Sequence, residues 1–504
     1  MSLLGIDLGS SGCKGVIFNY NGKVLSKYSL EYCPYSPAPE MAEMDPEIFW
    51  HAVVKVITNL TKTIPSETIE ALSISSHGET FIAVDSDGKA IAPAVMNSDN
   101  RAVQQAKRLE KTIGKEKVYQ ITGLPPHPMF SLNKIIWIKE NMPDIFERAR
   151  RFVSVGDYIL MKMGLPPYTD YSLASRVMAF DIKNRRWSEE ILNYSGIKVE
   201  KLSIPMPSGT IAGKLSSSTA KILGLKEGTI IAIGGHDQPC GALGSGVINP
   251  GEVFDSAGTY ECLVAVSQKP GNTTKALSYG INSYCHVVRD KFVTLAFFPA
   301  GIVTRWFVEQ FCADDKLYAQ QQNKILFEVL DENIANLCNG PTGLCITPHF
   351  VGACNPYWDV TATGVMAGLT PQITKYHIYK AIYEGIACEL AVNVEVLEEV
   401  IGHFNTIMIS GGNANSPFTV QLRADITGKE MLVSNTAESV CQGAAILAGI
   451  AAGVYKDAED AVSKVVKISK VFSPDKNEAM RYAKQIQQYR QVYPSLEKFR
   501  KARL

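Results

Sequence analysis

Asp7, followed by Gly9-Ser10-Ser11-Gly12 and then Lys14, forms a group able to hold a phosphate and its counter-ion. Small residues let backbone N–H groups approach phosphate oxygens, and the serine hydroxyls add donors. A carboxylate at a strand end can hold Mg²⁺ through water, because that ion keeps much of its hydration shell. Lys14 adds a positive charge. The same residues also suit an ordinary β-hairpin with glycines serving the turn, and locally both readings stay open. Near mid-chain the plan recurs. Gly251–Val266, GEVFDSAGTYECLVAV, gives strand, acidic residue, a small-residue turn at Ser256–Thr259, and strand. Two such hairpins predict two related domains facing one phosphate, and hence an ATP-using protein with a cleft.

The elements that must carry these groups follow from periodicity and turn chemistry. After the Asn21-Gly22 turn, GKVLSKYSLEY predicts a third strand. A Pro-rich crossing at 34–39 leads to a helix with Asp45 as N-cap and Pro46 at its first position. Glu70–Ser75 and Thr80–Val84 read as strands on either side of His77-Gly78. Residues 101–119, 131–150 and 188–194 have helical periodicity. Thr229–Ile233 is a β-branched run ending in Gly234-Gly235, the pattern of a buried strand whose exit loop lies at a cleft. In the second half, helices are predicted over Ala300–Phe311, 316–335 and 374–401. A strand at Thr406–Ile409 meets the turn Ser410-Gly411-Gly412-Asn413, and helices follow through Asp425 and from Glu438. The tail beyond 468 predicts a surface helix. The hinge-like composition at 244–251 places the boundary between a first domain, 1–246, and a second, 247–504.

Bulk properties narrow the class. A chain of 504 residues exceeds one ordinary core. Its 46% apolar and 20% charged residues are those of a soluble globular protein. Fifty basic residues balance fifty acidic ones, so no net field draws in nucleic acid or a membrane. Eleven cysteines without a CxxC pair predict reduced, buried thiols and a cytoplasmic protein, and no zinc-ligand spacing appears. The small-apolar run 443–453 is too short to span a membrane and predicts a buried helix.

The paired hairpins, with Gly411-Gly412-Asn413 downstream, resemble the sugar-kinase branch of the actin-like (ribonuclease H-like) ATPase fold: α/β, two domains, a central cleft. More closely, the chain resembles the FGGY family of carbohydrate kinases. Gly364–Glu384, GVMAGLTPQITKYHIYKAIYE, fits that family's C-terminal signature. Trp50, Thr169-Asp170-Tyr171-Ser172 and Pro356-Tyr357-Trp358 extend the similarity from Gly5 to about Gly453.

The resemblance implies that Gly235-His236-Asp237-Gln238 is the catalytic loop and Asp237 the general base. A neutral hydroxyl is a poor nucleophile, so phosphoryl transfer to an alcohol needs a base within hydrogen-bond reach. Without the resemblance, Asp237 reads as a helix N-cap ahead of Gln238-Pro239. The sugar site implied by the family draws on His77, Gly78, Glu79, Asp99, Asp237 and Gln238. On residue types alone, His77 is a satisfied loop histidine, and Asp99 with Arg101 a surface ion pair. Gly9-x-Ser11-Gly12-x-Lys14 and His77-Gly78 are closest to xylulokinases, pointing to a ketose such as a pentulose. Glycerol kinases carry Arg-Glu where this chain has Gly78-Glu79, which argues against glycerol. Xylulokinases have Gln-Met where this chain has Ser75-Ser76, and Trp where it has Asn97. Those departures keep polyols, deoxy-ketoses and sugar acids open.

For ATP, the resemblance implies Gly9, Ser10, Ser11 and Lys14 from the first hairpin, and Gly258 and Thr259 from the second. Gly411, Gly412, Asn413 and Asn415 would line the nucleoside, and Asp7 would hold Mg²⁺ through water. The expected partner is a small sugar, with a homodimer left open. The rival from another class is an actin-like ATPase acting on a protein partner. The catalytic-loop match and the Gly364–Glu384 signature weigh against it.

Overall fold

The computed structural model describes residues 1–65, 68–335, 337 and 340–502. The first half builds a six-stranded sheet from β1 (Ser2–Leu8), β2 (Gly12–Asn19), β3 (Val24–Glu31), β4 (Ile69–Ser76), β5 (Ile211–Lys214) and β6 (Ile230–His236), in the order β5-β6-β4-β1-β2-β3. Strands β1, β4 and β6 are parallel, and the remaining pairs antiparallel. Period-two alternation sets the faces of β1. Leu4, Ile6 and Leu8 pack with Phe49, Val53 and Ile57 of α1 (Pro46–Leu60), while Leu3 joins a core on the opposite face. Asp45 caps α1 as expected, its carboxylate accepting from the Glu47 N–H, with Pro46 at the first helical position.

The second half builds a seven-stranded sheet from β7 (Val253–Ala257), β8 (Tyr260–Ser267), β9 (Asn282–Cys285), β10 (Phe292–Pro299), β11 (Thr406–Ser410), β12 (Glu430–Ser434) and β13 (Ile468–Phe472). Its order is β9-β10-β8-β7-β11-β12-β13, with β7, β11 and β12 parallel. The first sheet runs three antiparallel strands, the second four, into two parallel ones, and each closes on an antiparallel edge strand. The repeated hairpin seen in the sequence is the start of a repeated sheet.

Register fixes what lies at the working edge. Asp7 pairs with Ser75 across β1 and β4, and Ser75 pairs with Gly235 across β4 and β6. Asp7 and the loop after Gly235 therefore reach the same carboxyl-end edge, where parallel sheets bind ligands. In the second sheet, Ser256 pairs with Ser410, which brings the Gly258 turn beside Gly411.

Two helices join the halves. Helix α2 (Asp237–Gly244) follows β6. Helices α3 (Lys375–Ile401) and α4 (Pro417–Thr427) cover the second sheet, and α5 (Ser439–Ala451) follows β12. Yet α5 packs on β1, β4 and β6 of the first sheet and against α2. Helices α2 and α5 meet backbone to backbone. A Cβ on Gly244 would stand 1.8 Å from the Ser439 carbonyl oxygen, and one on Gly443 would stand 1.9 Å from that of Cys240.

The structure departs from the sequence reading in four places, one of them the 131–150 pattern, which is two helices, Ser131–Asn141 and Pro143–Arg148. The 101–119 pattern is two helices, Val103–Ile113 and Lys115–Thr122, broken at Gly114, whose φ of 96° lies outside the helical region. The 316–335 pattern is likewise two helices, Ala313–Gln321 and Leu326–Ala335. The tail contributes β13 to the sheet before its helix, Lys476–Ser495, which buries Tyr482, Gln485 and Tyr489. Among the described residues no helix is long and apolar enough to cross a membrane, and the described cysteines are free.

Candidate active site

Asp237 is the first residue of α2, and His236 occupies the capping position. The capping alternative therefore falls to its neighbour, and the Asp237 carboxylate is left for other work. Its Oδ1 is buried without a hydrogen bond, while the side chain as a whole stays 25% exposed. Gln238 Oε1 is also buried and unpartnered. Burial pushes the Asp237 carboxyl up to about 8. The charges of Asp7 and Glu79 add to that, and the Gln238 backbone N–H and Arg176 oppose it.

The loop is held from behind. Asp170 caps the short helix Tyr171–Ser175 and accepts from the Ser172 hydroxyl at 2.6 Å. That hydroxyl oxygen accepts the His236 N–H at 2.8 Å. The Thr169–Ser172 motif thus serves to position the loop.

Glu79, in a left-handed conformation with φ 61°, places its buried carboxylate on Arg176. The guanidinium lies between Phe130, at 5.2 Å, and Tyr284, at 4.9 Å, in cation–π contact. Gly78 makes room for it: a Cβ there would meet Arg176 Cγ at 2.8 Å. Arg176 itself directly follows the helix Tyr171–Ser175.

His77 and Asp99 lie in the layer beneath this cluster with their polar atoms engaged. His77 Nδ1 is 2.9 Å from the Leu8 carbonyl oxygen, and Nε2 is 2.9 Å from Thr80 Oγ1. Thr80 Oγ1 also accepts the Asn97 N–H, tying the two acceptor loops together. Asp99 is wholly buried. It accepts from the Ala42 N–H and from Arg101, whose other nitrogen reaches Glu43. This pair is an interior anchor, not the surface pair that residue types suggest. Beside it, burial lowers the Lys134 ammonium to about 7 against the pull of Asp99 and Glu79.

At the first hairpin, the Gly9 N–H donates to the Gly12 carbonyl, and the Tyr32 hydroxyl contacts both the Gly9 and Gly12 carbonyl oxygens, at 2.6 and 3.0 Å. Ser10 is half-buried and Ser11 exposed. Lys14 is committed to Glu438 of the second half at 2.9 Å, and Lys27 reaches the same carboxylate. Asp7 accepts no hydrogen bond from a described residue. Burial, with Glu438 adding and Lys14 opposing, pushes its carboxyl up to about 6. Among the described residues no group of three His, Cys, Asp or Glu forms a metal cage. A cation at Asp7 would draw its other ligands from phosphate and water, which suits Mg²⁺.

In the second half a cavity of about 1300 Å³ opens between the β7–β8 turn and the start of α4. Gly258, Thr259, Gly412, Asn413 and Asn415 line it together, and its farther wall mixes Arg305 and Lys316 with Glu309, Glu328, Asp331 and Glu332. Gly411 lies behind, its Cα facing the Ala257 carbonyl. The volume and the two small-residue turns facing each other suit a nucleotide.

Sequence reasoning missed Arg176, Tyr284, Tyr32, Lys134 and Glu438. A signal existed for Arg176 alone: a glycine beside an acidic residue in a binding loop leaves both a space and a charge to be filled.

Residues 2–244 match the model of the N-terminal domain of the FGGY family of carbohydrate kinases, and residues 254–452 that of its C-terminal domain. A gluconokinase from Bacillus subtilis is 31% identical over 95% of this chain and 93% of its own length. A xylulose kinase from the same species is 26% identical over 97% and 96%. Among solved structures, ligand-bound xylulose kinase from Lactobacillus acidophilus superposes with a TM-score of 0.88 at 24% identity, covering 98% of each chain.

Proposed function

Because this chain belongs to the FGGY family of carbohydrate kinases, a family of two actin-like α/β domains whose members use ATP, we propose that it phosphorylates a hydroxyl of a small sugar acid, with Asp237 as the general base. The observation that carries the base assignment is the Asp237 carboxylate itself. It stands at the carboxyl-end edge of the first sheet, partly open to the cleft, with one oxygen buried and without a hydrogen bond. A carboxylate so placed can take the proton of an attacking hydroxyl.

The remaining residues receive roles by position. Gln238 and Glu79 face the acceptor, and Gly78 leaves the space that Arg176 fills. His77 and Asp99 hold the two acceptor loops in place from beneath rather than touching the sugar. Gly258, Thr259, Gly412, Asn413 and Asn415 hold the nucleotide, with Gly411 setting the turn. Gly9, Ser10 and Ser11 close on its terminal phosphate from the first half. Lys14, held by Glu438, steadies the opposing turn. Mg²⁺ bound through water at Asp7 would offset one of the charges that, after burial, raise the Asp237 carboxyl, and would so favour the ionised base. Closing the halves, with a boundary near residue 246, would expel water and align the hydroxyl with the phosphate.

A sugar acid is favoured over a pentulose by two features. Ser75-Ser76 and Asn97 depart from the xylulokinase pattern, and a relative 31% identical over nearly the whole chain is a gluconokinase. The second reading, a ketose such as xylulose, keeps its support in the His77-Gly78 pair and the xylulose-kinase relatives. Coupled ADP release against gluconate, other sugar acids, ketoses and polyols, with Asp237→Asn as control, separates them. The highest kcat/KM on gluconate supports the first reading, and a preference for xylulose replaces it with the second. Steady hydrolysis indifferent to every sugar, or turnover by Asp237→Asn near that of the parent, overturns the kinase assignment of this site.

A further inference from the structure

His236 stands between the catalytic carboxylate and the second half of the chain. Its ring Nδ1 is 3.0 Å from the hydroxyl of Tyr284, a fully buried residue of β9. Its Nε2 is 3.1 Å from Asp237 Oδ1. The ring is wedged. It meets Tyr284 edge to face, with centroids 5.6 Å apart, its Cδ2 lies 3.1 Å from the space above Gly78, and its backbone N–H is fixed by Ser172. The ring itself is 6% exposed.

Which nitrogen carries the ring proton follows from what each one faces. The Arg176 guanidinium stacks on the Tyr284 ring, 4.9 Å from its centroid. Burial and the positive charge of Arg176 keep His236 neutral, its imidazolium form lying well below the ordinary range. A neutral imidazole has one N–H and one lone pair. A Tyr284 O–H donating to Nδ1 places the N–H at Nε2, 3.1 Å from Asp237 Oδ1, a close polar contact rather than an aligned hydrogen bond.

We propose that His236, with its tautomer set by Tyr284, is a positioning residue that holds Asp237 Oδ1 inward and so presents Oδ2 to the acceptor hydroxyl. This rests on the reading of Asp237 as general base. The carboxylate then has two separate tasks. Oδ1, buried and without another partner, is the oxygen that is held. Oδ2, on the side of the carboxylate that is still exposed, takes the proton. In the transfer step the acceptor O–H bond breaks, its proton passes to Oδ2, and the oxygen forms its bond to phosphorus as the ADP oxygen leaves. His236 neither gains nor loses a proton.

Three variants of the full chain test this. Replacing His236→Phe keeps the ring volume and removes both nitrogens. The expected result is a fall in kcat of at least about tenfold with both KM values within about twofold, as for a misaimed rather than missing base. His236→Gln, which returns an amide N–H, recovers a large part of that loss. Tyr284→Phe frees the tautomer: nitrogen-labelled histidine NMR then shows Nδ1–H gaining population on one of the eight histidines, with kcat between those of the parent and His236→Phe. Should His236→Phe misfold, the Tyr284→Phe spectrum and kcat decide alone. A folded His236→Phe enzyme with parental kcat overturns the proposal, as does a Tyr284→Phe enzyme unchanged in both spectrum and kcat. Asp237→Asn separates the two levels. If it is inactive while His236→Phe is normal, only the positioning role fails. If it is active, the base assignment fails first.

Discussion

The Arg176 guanidinium and the Glu79 carboxylate face each other across the space left by Gly78, each side chain only 6% exposed. They come from segments 97 residues apart, and neither has a solvent route to screen its charge.

Breaking this pair from one side strands a buried charge. Glu79 in Arg176→Met, or Arg176 in Glu79→Gln, is then uncompensated, at a cost of about 3–5 kcal/mol. Urea unfolding of each single variant and of the double variant is the check. The double variant is expected to lie within about 2 kcal/mol of the parent, because a neutral pair of similar volume carries no desolvation penalty. Both singles are expected to lose sugar affinity as well.

A second buried pair tests the nucleotide side. Arg423 of α4 holds Glu261 of β8 at 2.9 and 2.7 Å, both fully buried, and Asp255 beside them has neither oxygen hydrogen-bonded. Burial and the Glu261 charge raise the Asp255 carboxyl well above its usual range. Arg423→Met leaves two acidic groups in an apolar interior, and unfolding free energy is expected to fall by about 3–5 kcal/mol. Adding Glu261→Gln to that variant is expected to restore most of the loss.

At Gly412 the structure makes opposite predictions for stability and affinity. A Cβ there meets nothing within 4 Å, and φ is not left-handed. Gly412→Ala is therefore expected to change unfolding free energy by less than about 1 kcal/mol. If the nucleotide lies against this wall, the added methyl raises the ATP KM about tenfold, near 1.4 kcal/mol of lost binding. Thermal unfolding and initial rates at varied ATP measure the two effects separately.

The response to acid has a named source in His286. This residue is 4% exposed, and burial pushes its imidazole down to about 3. The unfolded ring titrates near 6.5, so below that pH the unfolded chain binds the extra proton. The contribution to stability is complete above pH 6.5 and falls by about 1.4 kcal/mol per pH unit until about pH 3. Between pH 7 and pH 5 the parent is expected to lose about 2 kcal/mol more than His286→Asn in denaturant titrations.

What was legible in the sequence was whatever is encoded locally. The Asp7 hairpin and its counterpart at 253–267 announce themselves by turn residues between β-branched runs. Asp45-Pro46 marks α1, and Gly411-Gly412 marks an exit loop. The resemblance carried Asp237, which local rules would have given to capping. The capping residue is in fact His236. Lost to sequence reasoning were the groups that meet by tertiary packing. Glu438 reaches Lys14 across 424 positions, and Tyr284 reaches His236 from another sheet. Strand β13 escaped because its side chains are almost all exposed, so it lacks the alternation that reveals a half-buried strand. Asp99 and Arg101 looked like surface charges because their spacing gives no hint of the roof laid over them by Ala42 and Glu43.

The contact of α2 and α5 through Gly244 and Gly443 bears on how such a chain can change over generations. Each half lends the other a helix face, so Leu3 and Val16 of the first sheet share a core with Ala445 and Leu447 of the second half. Neither half is a self-contained module that a cut near residue 246 would release intact. A hybrid made by joining the first half of one relative to the second half of another inherits only one side of this crossing. It will fold only if the incoming helix also leaves room for a carbonyl where Gly244 or Gly443 now yields it.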